Sequence, residues 1–216
     1  EWVEAGDLRI GDIIVTLLEL PASSARIAPN GRALTAEFME LCGLLLGDGG
    51  ILRGNKARTP TGLTFARNKD APYMVHYREA MRREFYASAK GGSYSVNGRQ
   101  RVAIRLQEGE RYTQFSSMLA GEEMEALGFG GNAHTKRIPQ WVFGVALDLQ
   151  LALLRGCVDS DGAVNDRGWI TYSSVNRPLL EDVRHLCMAA GIPVGNVREY
   201  TPVGTVIING RTVRRG

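Results

Sequence analysis

Cysteine is scarce: Cys42, Cys157 and Cys187 are far apart and accompanied by no CxxC pair and no neighbouring histidine. A disulfide framework and a zinc site are therefore excluded, and small buried apolar thiols are the reading that remains. Long apolar runs are missing too. The best candidate, residues 141–154 ("WVFGVALDLQLALL"), carries Asp148 and Gln150 and is too short to span a bilayer. The N-terminus lacks the basic-then-apolar plan of a signal peptide, which leads us to expect an intracellular protein of cytoplasm or nucleoid. Nor is there a strong charge of one sign: the net charge is +3 over 216 residues that are 44% hydrophobic and 23% charged. Those values describe a globular chain of one large or two small domains with a real core.

The distribution of charge says more than its total. Residues 1–49 sum to −5, 50–111 to +8, 112–165 to −3 and 166–216 to +3. Each basic block follows an apolar stretch that runs into an aspartate, first "LCGLLLGDGG" (41–50), then "LLRGCVDSDG" (153–162). Aligning Asp48 on Asp161 gives an offset of 113 residues, and two further pairs of segments correspond at offsets of 112 and 107. "SVNGR" (95–99) matches "IINGR" (207–211), and Asn-Gly between extended segments is a strong hairpin signal. "LTFARN" (63–68) echoes "ITYSSVN" (170–176).

Each copy thus reads as an apolar helix ending in Asp-Gly, a hairpin, an amphipathic helix and a second hairpin. The expected bounds are 35–48, 51–68, 72–88 and 93–106, with a further helix near 111–127; copy two gives 145–161, 164–175, 177–190 and 196–215. We expect an α+β fold of two pseudo-symmetric αββαββ(α) halves at 34–130 and 131–216, the second C-terminally incomplete, with residues 1–33 outside the repeat.

Gly43 and Gly47 lie four apart, as do Gly156 and Ser160, so each pair shares a helix face and lets two backbones approach. Helices packed along those faces would bring Asp48 and Asp161 together at C-terminal ends that already carry partial negative charge. Only cations make that sensible, and carboxylates with carbonyls and water suit Mg²⁺. A calcium loop in "DSDGAVNDRG" is excluded, because its sixth position is Val164 where glycine is needed and its twelfth is Ile170 where glutamate is needed.

The strands carry polar residues on one phase. In "RVAIRL" (101–106) Val102, Ile104 and Leu106 alternate with Arg101, Ala103 and Arg105; in "SYSVN" Ser93, Ser95 and Asn97 oppose Tyr94 and Val96. Thr64 points away from Leu63 and Phe65, and Thr171 and Ser173 follow that phase in copy two. Strands of about nine residues at ~3.3 Å each, two sheets end to end, would cover about 18 base pairs. Such faces contact phosphates and base edges. The DNA-contact set we expect adds Arg53, Lys56, Arg58, Asn68 and Arg99 in copy one, and Asn165, Arg167, Arg198 and Arg211 in copy two.

The two motifs, "LCGLLLGDG" (41–49) and "LRGCVDSDG" (154–162), resemble those of the LAGLIDADG homing endonucleases of the single-chain, two-motif type. The resemblance spans residues 34–216; the first motif has Leu46 where the family name has its earlier aspartate. It implies a monomer whose two sheets form a saddle over double-stranded DNA. Asp48 and Asp161, with the carbonyls of Gly47 and Ser160, would bind Mg²⁺, for which Mn²⁺ or Ca²⁺ could substitute. "KRIP" (136–139) is similar to the Lys-x-Ile-Pro stretch of intein-borne members and nominates Lys136 for the catalytic site; Lys69 and Asn176 fall where the family keeps polar groups near the metals. "EWVEAGDLRIGDIIV" is similar to the segment preceding the endonuclease in inteins, although no splicing nucleophile, Thr-x-x-His block or terminal His-Asn is present. The implied activity is site-specific DNA cleavage; the alternative is a noncatalytic DNA-binding protein or RNA maturase on the same scaffold.

Overall fold

The computed structural model describes residues 5–12, 23–54, 59–66, 73–85, 94–96, 99–101, 105–108, 112–199, 204–208 and 211–215. Its fold is α+β, with antiparallel sheets throughout. At the centre lies α1 (Ala36–Leu46), in which every residue from Phe38 to Leu46 is buried. Thr35 starts it by accepting a hydrogen bond from Phe38 N at 3.0 Å, satisfying one of the free N–H groups of the first turn. A helix apolar on all sides must be covered on all sides. Its main cover is α4 (Leu147–Asp161), with α2 (Tyr73–Phe85) packed beside it.

After α1 the chain forms the antiparallel pair β1 (Gly49–Arg53) and β2 (Pro60–Ala66), then α2; after α4 it forms β7 (Gly162–Val164) and β8 (Ile170–Tyr172), then α5 (Arg177–Ala189). Leu63 and Phe65 on β2 are fully buried and Thr64 is not, as the alternation required. The described strands on either side of each Asn-Gly pair are antiparallel partners. β3 (Tyr94–Val96) pairs with β4 (Arg99–Arg101) with Val96 opposite Arg99, and β9 (Gly204–Ile208) pairs with β10 (Arg211–Arg215) with Ile208 opposite Arg211.

One expectation needs correction. Residues 111–127 are not one helix, because β6 (Tyr112–Ser116) precedes α3 (Met118–Ala126). Thr113 and Phe115 are buried on either side of half-buried Gln114, and Ser117 then caps α3 through Ala120 N at 3.2 Å. β5 (Arg105–Glu108) pairs with β6, giving the four-stranded order β1-β2-β6-β5; residues 102–104 of the expected strand 101–106 lie outside the described residues.

Residues 23–34 lie on the rest of the fold. Ala146 N donates to Ala25 O at 2.9 Å, and Arg26 grips Asp148 with bonds of 2.8 and 3.0 Å at the start of α4. Arg32 stacks its guanidinium 4.0 Å from the Phe38 ring centroid and pairs with Glu84 at 2.6 Å and Glu123 at 2.9 Å, tying α1, α2 and α3 together.

Candidate active site

The site is made where α1 and α4 touch. A Cβ on Gly43 would stand 2.8 Å from Cys157 N and 2.9 Å from the Gly156 α-carbon, distances no real Cβ keeps. Gly156 meets the Leu44 backbone in the same way, and Gly47 faces the Ser160 side chain. Gly43 and Gly156 thus bring the two helix backbones into direct contact, while Gly47 makes room for the Ser160 side chain.

Just beyond that contact, Asp48 and Asp161 come within hydrogen-bonding reach of each other. Asp48 is exposed and Asp161 half-buried. The Asp161 carboxyl is pushed up to about 6, first by burial, then by the charge and hydrogen bond of Asp48, with Lys136 pulling the other way. Two acids in a partly dry setting cannot both ionise cheaply without a cation. The donor set here is all oxygen: two carboxylates and the carbonyls at two helix ends. It fits a hard divalent ion with water in its remaining positions. Among the described residues no three His, Cys, Asp or Glu side chains cluster, so such an ion would draw on backbone and solvent oxygen.

Lys136 is buried, and its Nζ donates to three carbonyls: Leu45 O at 2.8 Å, Gly47 O at 2.8 Å and Gly49 O at 2.7 Å. The ammonium therefore caps the C-terminal end of α1, where carbonyls lack helical partners and the dipole is negative. Burial pushes its pKa below the usual lysine range, and Asp161 and Asp48 pull it back up. All three donors are in use, so it acts on the acids as a fixed charge at short range.

The segment around Lys136 is pinned by α5. Asn176 donates through Nδ2 to Lys136 O at 2.7 Å, while its Oδ1 accepts from Leu179 N at 3.2 Å as the helix cap. Both ends of this amide are thereby occupied, making Asn176 a brace for the lysine loop. Asp182 receives Arg137 Nε at 2.6 Å, Arg137 Nη2 at 2.7 Å and Ile138 N at 3.1 Å. Asp182 carried no sequence signal, because one acid on an amphipathic helix looks like any other.

Asp159, the earlier acid of the second motif, is held away from the pair, accepting from Tyr77 OH at 2.8 Å. Buried Glu40 on α1 takes His76 of α2 and Arg155 of α4, locking three helices.

Of the expected DNA contacts, Arg167, Ser173 and Arg198 are exposed. Arg53 is exposed but paired with Glu125, and Thr64 is half-buried. Asn165 organises the β7–β8 turn, its Oδ1 accepting from Arg167 N at 3.0 Å and Trp169 N at 3.1 Å; Thr171 donates to Ala163 O at 3.3 Å. Ser95, Arg99 and Arg101 lie on the β3–β4 hairpin, Arg105 on β5 and Arg211 on β10. Lys56, Arg58, Asn68, Lys69, Ser93 and Asn97 lie outside the described residues.

Two helices thus abut through small residues, and each leads to an aspartate and an antiparallel strand pair. Residues 148–215 match the family model described as a LAGLIDADG-like domain. Among curated proteins, the chain is 41% identical over 81 residues to an iron-sulfur cluster assembly SufBD family protein of Mycobacterium leprae, covering 37% of this chain and 9% of that protein. It is 27% identical over 208 residues to a DNA polymerase of Thermococcus sp. (strain GE8), covering 93% of this chain and 11% of that protein. The chain spans about a tenth of the length of these relatives. Among solved structures it is similar to I-DmoI bound to DNA with Mn and to an I-DmoI variant bound to its target DNA. Each has a TM-score of 0.46 at 14% identity over 70% of this chain, with 76% and 74% of those chains covered. No helix among the described residues is long and apolar enough to cross a membrane.

Proposed function

We propose that this chain is the endonuclease part of an intein-borne homing endonuclease, cutting a long specific site in double-stranded DNA by metal-assisted phosphodiester hydrolysis. The observation that carries the reading is the carboxylate pair: two acids converge at the C-terminal ends of two helices, where the helix dipoles oppose their charge. A protein that only bound polyanionic DNA would do so better without them. Mg²⁺ is the ion proposed, with Mn²⁺ or Ca²⁺ able to take its place; when bound it would supply neutralisation of the scissile phosphate and acidification of an attacking water.

In this reading Asp48 and Asp161, with the carbonyls of Gly47 and Ser160, hold the metal. Lys136 offsets the negative end of α1 and stands behind the acids as a permanent cation, braced by Asn176 and Asp182. Asp159 stays outside the metal shell because Tyr77 holds it. Lys69 belongs to the proposal on its sequence position alone. Both acids come from one chain, so a monomer carries a full site. Recognition falls to the strand residues: Thr64, Thr171, Ser173, Arg167 and the arginines of the β3–β4 and β9–β10 hairpins.

The intein origin is supported by the relatives. A cluster-assembly protein and a DNA polymerase share no trade, yet each matches this chain over about a tenth of its length, as an element inserted into unrelated hosts would.

The test is cleavage of a randomised double-stranded DNA library in Mg²⁺ by the wild type, Asp48→Asn and Asp161→Asn. Cutting by the wild type and loss in both variants supports the reading. Cutting by both variants overturns the site; tight metal-independent binding without nicking favours a regulator, and a preference for structured RNA favours a maturase.

A further inference from the structure

We propose that Tyr77 is a positioning residue for the acid pair: from α2 of the first copy it fixes the rotation of α4 through Asp159, and with it the carboxyl group of Asp161. The inference rests on the metal-binding role given above to Asp48 and Asp161.

The contact of α1 with α4 through Gly43 and Gly156 brings backbone to backbone and offers no side chain to interlock, so it does little to fix the rotation of either helix. In the last turn of α4, Ser160 Oγ donates to Cys157 O at 2.8 Å and Gly156 O at 3.2 Å, bonds that stay within the helix. Rotation matters here. A carboxyl group carried about 5–6 Å from a helix axis moves by about 1 Å for a turn of about 10°. A misplacement of about 1 Å can lower a rate by about a hundredfold.

For α1 the fixing bonds are those of Lys136, which stands in the segment leading towards α4 and reaches back to Leu45 O, Gly47 O and Gly49 O. For α4 the corresponding bond comes from the other half of the chain: Tyr77 OH donates to Asp159 Oδ2 at 2.8 Å. Tyr77 is fully buried, and its helix is pinned to α1 on either side of it, by His76 on Glu40 and by Arg83 on Glu37 at 2.8 Å. Residues of a helix lie about 100° apart around its axis. Asp159 and Asp161 therefore leave α4 on opposite sides of Ser160, the residue that faces Gly47. A pull on one carboxyl group turns the other, and each acid of the pair is set by a residue of the opposite half.

Packing does not require an acid at position 159. Two residues before Asp48, the equivalent place in α1 is taken by Leu46, which is buried. Half-buried Asp159 carries a desolvation cost that an apolar side chain avoids, so its bond to Tyr77 calls for a role beyond filling space.

The test compares the wild type, Tyr77→Phe, Asp159→Leu, Asp159→Asn and Asp161→Asn, each as the intact chain. It measures denaturant stability, Mn²⁺ affinity by electron paramagnetic resonance without DNA, and kcat and KM for cleavage of the selected DNA site where all the variants are folded. For Tyr77→Phe and Asp159→Leu the expected result is Mn²⁺ binding weakened about tenfold and kcat lowered about a hundredfold at unchanged KM. Asp159→Asn, whose amide oxygen still accepts from the phenol, is expected to recover most of both. Tyr77→Phe with wild-type Mn²⁺ affinity and kcat would make the bond purely structural and overturn the inference, as would a loss in Asp159→Asn equal to that in Asp159→Leu. If Asp161→Asn binds Mn²⁺ as the wild type does, the metal site itself is misassigned and the inference falls with it. Weakened binding in Asp161→Asn alone overturns the inference and leaves the metal site standing.

Discussion

Gly156 of α4 lies against the backbone of α1 so closely that a Cβ on it would stand 2.8 Å from Leu44 N and nearer still to the Glu40 carbonyl. No rotamer change relieves a clash with backbone, so the helices themselves must part. Gly156→Ala is expected to cost about 3 kcal/mol, at the upper end of overpacking effects, and to separate Asp48 from Asp161. Chemical denaturation gives the cost, and Mn²⁺ affinity reports the separation. A variant of wild-type stability would mean the helix contact is looser than described.

Lys136 contributes stability and charge through the same three bonds. Lys136→Met removes the cap and leaves the Leu45, Gly47 and Gly49 carbonyls short of a donor, which we expect to cost roughly 2–4 kcal/mol. It should also abolish cleavage under conditions where the protein remains folded. Denaturant midpoint and a cleavage assay well below that midpoint separate the two effects.

Asp182 holds the lysine loop from outside the site. Asp182→Ala frees the Arg137 fork and orphans Ile138 N, with an expected loss of roughly 2–3 kcal/mol. Its signature is a fall in kcat with little change in DNA affinity, because the group displaced is Lys136 and not a DNA contact. Equal losses in kcat and DNA affinity would contradict that division.

Asp161 predicts a direction for pH dependence in the metal-free protein. Its carboxyl, ordinarily near 3.8, titrates at about 6 because burial and Asp48 disfavour its charge. The folded state thus binds this proton more tightly than the unfolded chain, so stability is greatest below about pH 4 from this group and falls as pH rises through about 6. Unfolding temperatures between pH 4 and 7.5 should show that slope in wild type and lack it in Asp161→Asn. That variant should be the more stable of the two at neutral pH without metal. Mn²⁺ binding should weaken below pH 6, since the ion must displace the proton.

Much of this architecture was legible because its signals were local. Asn-Gly between strand-formers favours a two-residue hairpin, and the strands flanking both pairs are antiparallel partners. Gly43 and Gly156 announced a close helix contact by spacing alone. What could not be read depended on partners distant in sequence. β6 looked helical because Tyr112–Ser116 runs directly into the capped helix α3, and only pairing with β2 and β5 makes it a strand. Asn176 read as a free polar group, yet its amide is spent on a helix cap and the Lys136 carbonyl.

The account stands or falls on whether the two motif acids share a metal. Anomalous diffraction from crystals grown with Mn²⁺ tests this most directly. It predicts manganese density between the Asp48 and Asp161 carboxylates beside the Gly47 and Ser160 carbonyls, lost in Asp161→Asn. Manganese bound elsewhere, or unchanged density in that variant, would contradict it.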